Sequence, residues 1–358
     1  RLGNLLGLHW NVRPVDPAWV VHVGGRAIAQ WAERARWRRE AESLLPGSTP
    51  FWNVQERLAQ AAWQVSAGRF AFPPERADDV LTYTGALRPD VLIAAPYLAQ
   101  KMAAMPALRS SSLLGAFVDA QLMISAQTTA QHASALYGSA ALDLPRRGVN
   151  AVTGGMGGLG QTLAEWLTSH GGEVRYRQPV ARLERQGGRV IAAITRRNER
   201  IEGDVFIANL TPAALLALLG KPAPARLEKK ARRQGGWGAF MLYLGLDAKL
   251  LPGDIADHHQ VVMDLHAPPG EGNTVFLSLS PEWDATRAPA GGRTATLSTH
   301  TDPTVWWRLY YDDPTGYQAR KAEYSERLLR AAEIAIPGIR RAVRLELAGT
   351  PRTFAFYT

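Results

Sequence analysis

Residues 153–160, Thr153-Gly154-Gly155-Met156-Gly157-Gly158-Leu159-Gly160, constrain the fold of this chain more than any other segment. The glycines permit positive φ and close backbone approach that other residues resist. Behind them Leu163, Trp166 and Leu167 recur at helical spacing, and Gly171-Gly172 supply a C-terminal stop, which predicts a helix over 158–170. Residues 173–185 then place Val174, Tyr176, Pro179, Val180 and Leu183 among polar neighbours. Gln186-Gly187-Gly188-Arg189 turns this stretch into the alternating run 190–194, which predicts a hairpin. Val205-Phe206-Ile207-Ala208, bounded by Asp204 and Asn209, is too short for a helix and predicts a buried strand that ends before Pro212. The turn also satisfies G-x-G-x-x-G, with Glu173 at about the distance of a ribose-binding acid. Such a fingerprint should follow a hydrophobic central strand, whereas 146–153 is basic and polar. A dinucleotide site and a purely structural turn are both open at this point.

With 358 residues, 46% apolar types and eleven tryptophans, the chain can bury a sizeable core, which excludes a disordered or fibrous protein. The absence of cysteine excludes disulfides, thiolate catalysis and cysteine metal sites together. The most apolar segment, 111–126, is interrupted by Asp119 and Gln121, so it predicts a buried helix rather than a membrane span. A formal charge of +9 points to anionic surroundings. No G-x-S-x-G, H-E-x-x-H or Walker A pattern occurs. No metal site is expected: Asp257-His258-His259, with Asp254, reads as a solvated loop. His300 reads as a capping or hydrogen-bonded residue, and His132 as a satisfied core histidine.

Strands are expected over 10–15 and 18–23, helices over 32–45, 54–67, 89–102 and 113–137. Further strands are expected over 239–246, 260–265, 274–279 and 294–299, then a helix over 317–336 stopped by Pro337-Gly338. This interleaving suggests a mixed α+β lobe (1–142 and 223–345) bracketing 143–222, with 346–358 returning to the latter. Between Arg26 and Arg39, Trp31 and Trp37 mix with Arg34, Arg36 and Arg38, and Lys229 to Arg233 form a second basic cluster. Such composition suits an interfacial helix on anionic lipid, nucleic acid, or a solvated surface.

The order of glycine turn, helix, strand pair and closing Asp204 to Pro212 resembles the second half of the FAD domain in amine-oxidase-like flavoenzymes, most closely the phytoene desaturase and carotenoid isomerase branch. Arg13-Pro14-Val15-Asp16-Pro17, Asp119-Ala120-Gln121-Leu122, Gly236 to Phe240, Ser298 to Thr301 and Gly349-Thr350-Pro351 follow in the same order as that family's segments. The resemblance implies an α/β, mixed two-domain FAD-linked fold with a discontinuous substrate lobe. It implies FAD as cofactor, an apolar polyene as substrate, and desaturation by hydride transfer to flavin or cis–trans isomerisation. An amine or alicyclic substrate, or a non-catalytic basic membrane-binding module, are the alternatives. It sets Gly154, Gly155, Met156, Gly157 and Gly158 beside flavin or substrate, Val180 against the adenosine half of FAD, and Asn209 at the end of the matched strand. Asp119 and Gln121 become candidates for lining a substrate tunnel, and no catalytic residue is assigned. The family's own N-terminal strand, pyrophosphate turn and acidic ribose ligand are expected before Arg1, and its Gly-Asp segment after Thr358, so a fragment cut at both ends is expected. Because a carotenoid is taken from a bilayer, the resemblance implies a cytoplasmic protein bound peripherally to an anionic membrane surface, not to nucleic acid.

Overall fold

The computed structural model describes residues 2–68, 76, 78, 88–232 and 235–357, which leaves Arg233 of the second basic cluster outside the described residues. Its strands are β1 (Val12–Val15), β2 (Val20–Val23), β3 (Arg26–Ala29), β4 (Val149–Val152), β5 (Val180–Gln186), β6 (Arg189–Thr195) and β7 (Arg200–Glu202). They continue as β8 (Gly238–Asp247), β9 (His258–Val262), β10 (Thr274–Leu279), β11 (Gly292–Thr301) and β12 (Val343–Gly349). The chain forms two units, Arg1–Met156 with Trp237–Thr358, and Gly157–Gly236. The divisions thus fall after Met156 and before Trp237, where the sequence reading places them at 142/143 and 222/223.

In the first unit, period-two alternation builds a seven-stranded sheet, β12-β8-β11-β10-β9-β2-β3, antiparallel except for the β2–β9 pair. One face carries Phe240, Leu242, Leu244, Val275, Leu277 and Leu297 against Trp306, Tyr324 and Leu328. These partners come from the helices Pro303–Asp312 and Pro314–Ala335. Trp306 is fully buried, and its indole N–H donates to Thr301 Oγ1 at 2.9 Å. At about 25 cal/mol per Å2, an indole burying roughly 200 Å2 contributes about 5 kcal/mol before entropy is charged. Beyond the Pro314–Ala335 helix, Gly338 at φ +86° turns the chain into the short helix Ile339–Ala342 that leads to β12.

The opposite face is covered at its β2–β9 end by a helical layer. Val21, Val23 and Val262 meet Leu114, Phe117, Trp37 and Trp52 from the helices Ser112–Ser125, Arg34–Leu44 and Thr49–Ala67. Trp37 is 1% exposed and packs edge-on to Trp52 and stacked on Phe117, so it cannot serve as the headgroup-depth anchor that composition suggests. The single helix expected over 113–137 is two, Ser112–Ser125 and Ala135–Leu142. Gln127 adopts φ +52°, which a helix cannot continue, and the Asp119 carboxylate accepts the Ala130 N–H at 2.7 Å to hold the reversal. His132 consequently sits exposed in that turn rather than in a core.

The solvated-loop reading of Asp257-His258-His259 is also corrected. His259 is 4% exposed on β9, because alternation there turns it and Val261 toward the helix that covers that face. Its Nε2–H donates to the Ala256 carbonyl at 2.9 Å, so Nδ1 is left to accept the His22 Nε2–H at 3.1 Å.

The second unit holds the three-stranded sheet β5-β6-β7, most of the helix Gly155–Ser169, and the helices Pro212–Leu219 and Ala225–Ala231. Its hairpin turns at Gly187 and Gly188, both at positive φ, as the sequence requires. The strand expected over 205–208 does not form: Val205 and Ile207 are 79% and 93% exposed. A strand buried on both faces needs neighbours to satisfy its backbone, and the run pairs with no strand among the described residues. No helix among the described residues is long and apolar enough to cross a membrane.

Candidate functional site

The glycine turn follows β4, which pairs antiparallel with β1 in a two-stranded ribbon. It is therefore not the first turn of a parallel βαβ unit, and the independent dinucleotide-site reading loses its structural condition. Glu173, the acid in that reading, is exposed and ion-paired with Arg175. Gly154 and Gly155 take φ of +74° and +64°, and the Gly154 N–H donates to Asp284 Oδ2 at 2.9 Å. Asp284 is buried and also accepts the Thr286 hydroxyl at 2.6 Å. Burial pushes its carboxyl up, but the bonds from Thr286 and Gly154, with Arg287 nearby, outweigh this and hold it below the usual range. A Cβ on Gly155 would strike the Arg287 guanidinium, so the position needs glycine for space as well as for φ.

Met156 is exposed on the first unit's side of the turn. In the second unit a Cβ on Gly157 would meet nothing within 4 Å, and the Gly155–Ser169 helix opens with no acidic residue in its first turn. A flank of bare backbone without repelling carboxylates suits a bulky anionic nucleotide. Gly158 lies on this helix, half-buried Val180 opens β5, and Asn209 is exposed in the coil before the Pro212–Leu219 helix.

A second feature lies on the sheet of the first unit, where the helical layer stops short. Register sets Gln260, Phe276, Ser298 and Met241 in one cross-strand row on the partly open face. Gln260, Phe276, Ser298 and His300, with Met123 and Ile124 of the Ser112–Ser125 helix, line a cavity of 160 Å3. Trp237 meets the His300 ring edge-on at 5.8 Å, and burial lowers the pKa of that imidazole, which leaves it neutral at pH 7. No carboxylate lines the cavity among the described residues. The open face continues through the exposed side chains of Tyr243, Leu345 and Leu347.

Gln121 stands directly behind this cavity. It is 5% exposed, accepts the Trp19 indole N–H at 2.7 Å and donates to Gln260 Oε1 at 2.6 Å. Gln260 Nε2 in turn donates to the Ala120 carbonyl at 2.6 Å. Asp119 lines a separate cavity of 80 Å3 beside Asn273 and Thr274, and burial raises its pKa against the bond from Ala130. The structure thus connects Gln121, but not Asp119, to the cavity wall by a direct hydrogen bond. Sequence reasoning missed Gln260 and Asp284. Alternation along β9 marks Gln260 as inward-facing, whereas nothing local links Asp284 to a glycine far away in sequence.

Known proteins agree with this architecture. The chain is 27% identical over 275 residues to the chloroplastic prolycopene isomerase of Arabidopsis thaliana, covering 74% of this chain and 45% of that protein. It is 42% identical over 71 residues to the hydroxyneurosporene desaturase of Cereibacter sphaeroides, covering 20% of this chain and 14% of that protein. The chain spans 45% of that isomerase and 40% of the prolycopene isomerase of Daucus carota, about half or less of these relatives' length. Among solved structures, cyclohexylamine oxidase from Brevibacterium oxydans aligns with a TM-score of 0.54 at 14% identity, over 98% of this chain and 69% of that one. Residues 31–307 match the family described as flavin containing amine oxidoreductase. With that match covering most of its length, the chain belongs to the flavin-containing amine oxidoreductase family.

Proposed function

We propose that the protein acts in FAD-dependent oxidoreduction of a carotenoid polyene, by desaturation or by cis–trans isomerisation. The observation that carries this reading is the similarity over 74% of the chain to a prolycopene isomerase, joined by the hydroxyneurosporene desaturase match. On the second unit, Gly157 and Gly158 would hold the flavin nucleotide, with Val180 and Asn209 as further contacts. Bound flavin supplies the hydride acceptor. The residues of this chain contribute binding and orientation: Met123, Ile124 and Phe276 offer apolar surface, and His300, kept neutral by burial, adds no charge. A polyene is uncharged, so a lining free of carboxylates suits it better than it suits an ammonium substrate, and in desaturation the proton lost with each hydride leaves to water. Association with an anionic membrane surface belongs to the same proposal, because an apolar polyene resides there.

FAD titration tests the cofactor half through quenching of flavin fluorescence. Gly157→Ala should weaken binding at least about tenfold with an unchanged unfolding midpoint, since a Cβ there blocks the cofactor but meets nothing within 4 Å among the described residues. Equal affinity in the variant contradicts the assignment. Conversion of a poly-cis carotenoid, set against oxidation of cyclohexylamine, tests the substrate half.

A further inference from the structure

Asn53, Glu56, Arg57, Gln60 and Gln64 recur at spacings of three and four along the Thr49–Ala67 helix, so they form one polar stripe. That stripe floors two adjoining cavities. The first, of about 480 Å3, is walled by Arg34, Arg57, Arg146 and Arg147 against only Glu56 and Asp143. The second, of about 550 Å3, runs between Val54 and Leu58 of this helix and Pro89, Ile93, Ala94 and Tyr97. Arg57 and Gln60 line both, so the two are the ends of a single cleft.

The first end carries four guanidiniums and two carboxylates, a surplus of two positive charges. Arg34 and Arg38 are paired with Glu56. Arg147 is paired with Asp143 at 3.1 Å, and Asp143 also accepts the Trp63 indole N–H at 3.0 Å. Arg146 is fixed by donation to Gln30 Oε1 at 2.7 Å and lies over the Trp37 ring. Arg57 donates only through Nε, to the Asn53 carbonyl at 3.3 Å, and meets no carboxylate among the described residues. A fixed ring of arginines with one uncommitted fork is the chemistry that recognises a phosphate ester.

The second end has no use for a bare anion. It is the more apolar end, lined by Val54, Leu58, Pro89, Ile93, Ala94 and Tyr97 with Arg88 and Asp90 paired to each other at 3.3 Å, and Ile93 is 74% exposed while lining the cavity. A ligand that satisfies both ends needs a phosphate head and a hydrocarbon chain, and an apolar rim open to the outside suits entry from a lipid layer. We propose that this cleft binds one anionic phospholipid, its phosphate among Arg34, Arg57 and Arg147 and an acyl chain between the Thr49–Ala67 and Pro89–Ala94 helices. This gives the membrane association proposed above a specific ligand. It does not depend on flavin, so its failure would leave the flavoenzyme reading intact.

Calorimetric titration with soluble dihexanoyl phosphatidate, dihexanoyl phosphatidylcholine and inorganic phosphate tests the site, beside co-sedimentation with phosphatidylcholine vesicles with and without phosphatidate. Phosphatidate should bind at least about tenfold more tightly than either comparison ligand, and Arg57→Glu and Ile93→Ser should each weaken it about tenfold. Both positions are exposed, so unfolding midpoints should not move. Phosphatidate vesicles should retain the protein and lose it in both variants. Inorganic phosphate binding as tightly as phosphatidate, indifference to either variant, or soluble binding without vesicle retention would overturn the proposal.

Discussion

Replacing Gln121 with alanine should destabilise the first unit by about 3 kcal/mol, because the side chain satisfies two groups that have no other partner among the described residues. The Trp19 indole N–H and Gln260 Oε1 are held at 2.7 and 2.6 Å, the second pair in the buried interior. Stranding a buried polar group costs roughly 1 to 3 kcal/mol. Half-buried Trp19 lies at the low end of that range because it can recruit water, and the void left by a side chain only 5% exposed adds to the sum. Urea unfolding followed by tryptophan fluorescence measures the loss. Gln121→Leu combined with Gln260→Leu should cost less than the two single changes added together, by about 1 kcal/mol or more, because the unpaired amides are then removed together. Since Gln260 lines the 160 Å3 cavity, any polyene binding there should weaken in parallel with stability. A loss below about 1 kcal/mol for Gln121→Ala, or strict additivity in the double variant, would refute the network.

Acid should weaken the fold through His259, whose pKa burial, aided by His22, lowers from 6.5 to about 4. The unfolded chain then binds the proton that the folded one refuses, so stability is full above about pH 6.5 and falls by up to about 3 kcal/mol toward pH 4. His259→Gln should flatten that part of the stability profile, and an unchanged slope would remove His259 as its cause. Gly155→Ala should cost about 1 to 2 kcal/mol in unfolding free energy, from its φ of +64° and displacement of Arg287. A neutral result would mean the turn can relax.

Local signals carried much of the fold. Alternation marked β8, β10 and β11, the paired glycines marked the hairpin turn, and Pro337-Gly338 marked the end of the long helix, each through a constraint that acts within a few residues. What escaped depended on distant partners. Val205 to Ala208 has the composition of a central strand but, among the described residues, no strand pairs with it. His259 reads as polar, yet β2 supplies the His22 that makes its burial tolerable. The break between 125 and 135 turns on an Asp119 carboxylate that the resemblance offered as a tunnel residue. The candidate site was half legible: the glycine turn announces itself, but the Asp284 that holds it lies beyond β10.

Mixing the purified protein with FAD, then separately with a poly-cis carotenoid and with cyclohexylamine, tests the central claim most directly. A bound-flavin spectrum with isomerised or desaturated polyene by chromatography, and no flavin bleaching by the amine, is the predicted result. Bleaching by the amine while the polyene is returned unchanged would contradict the account.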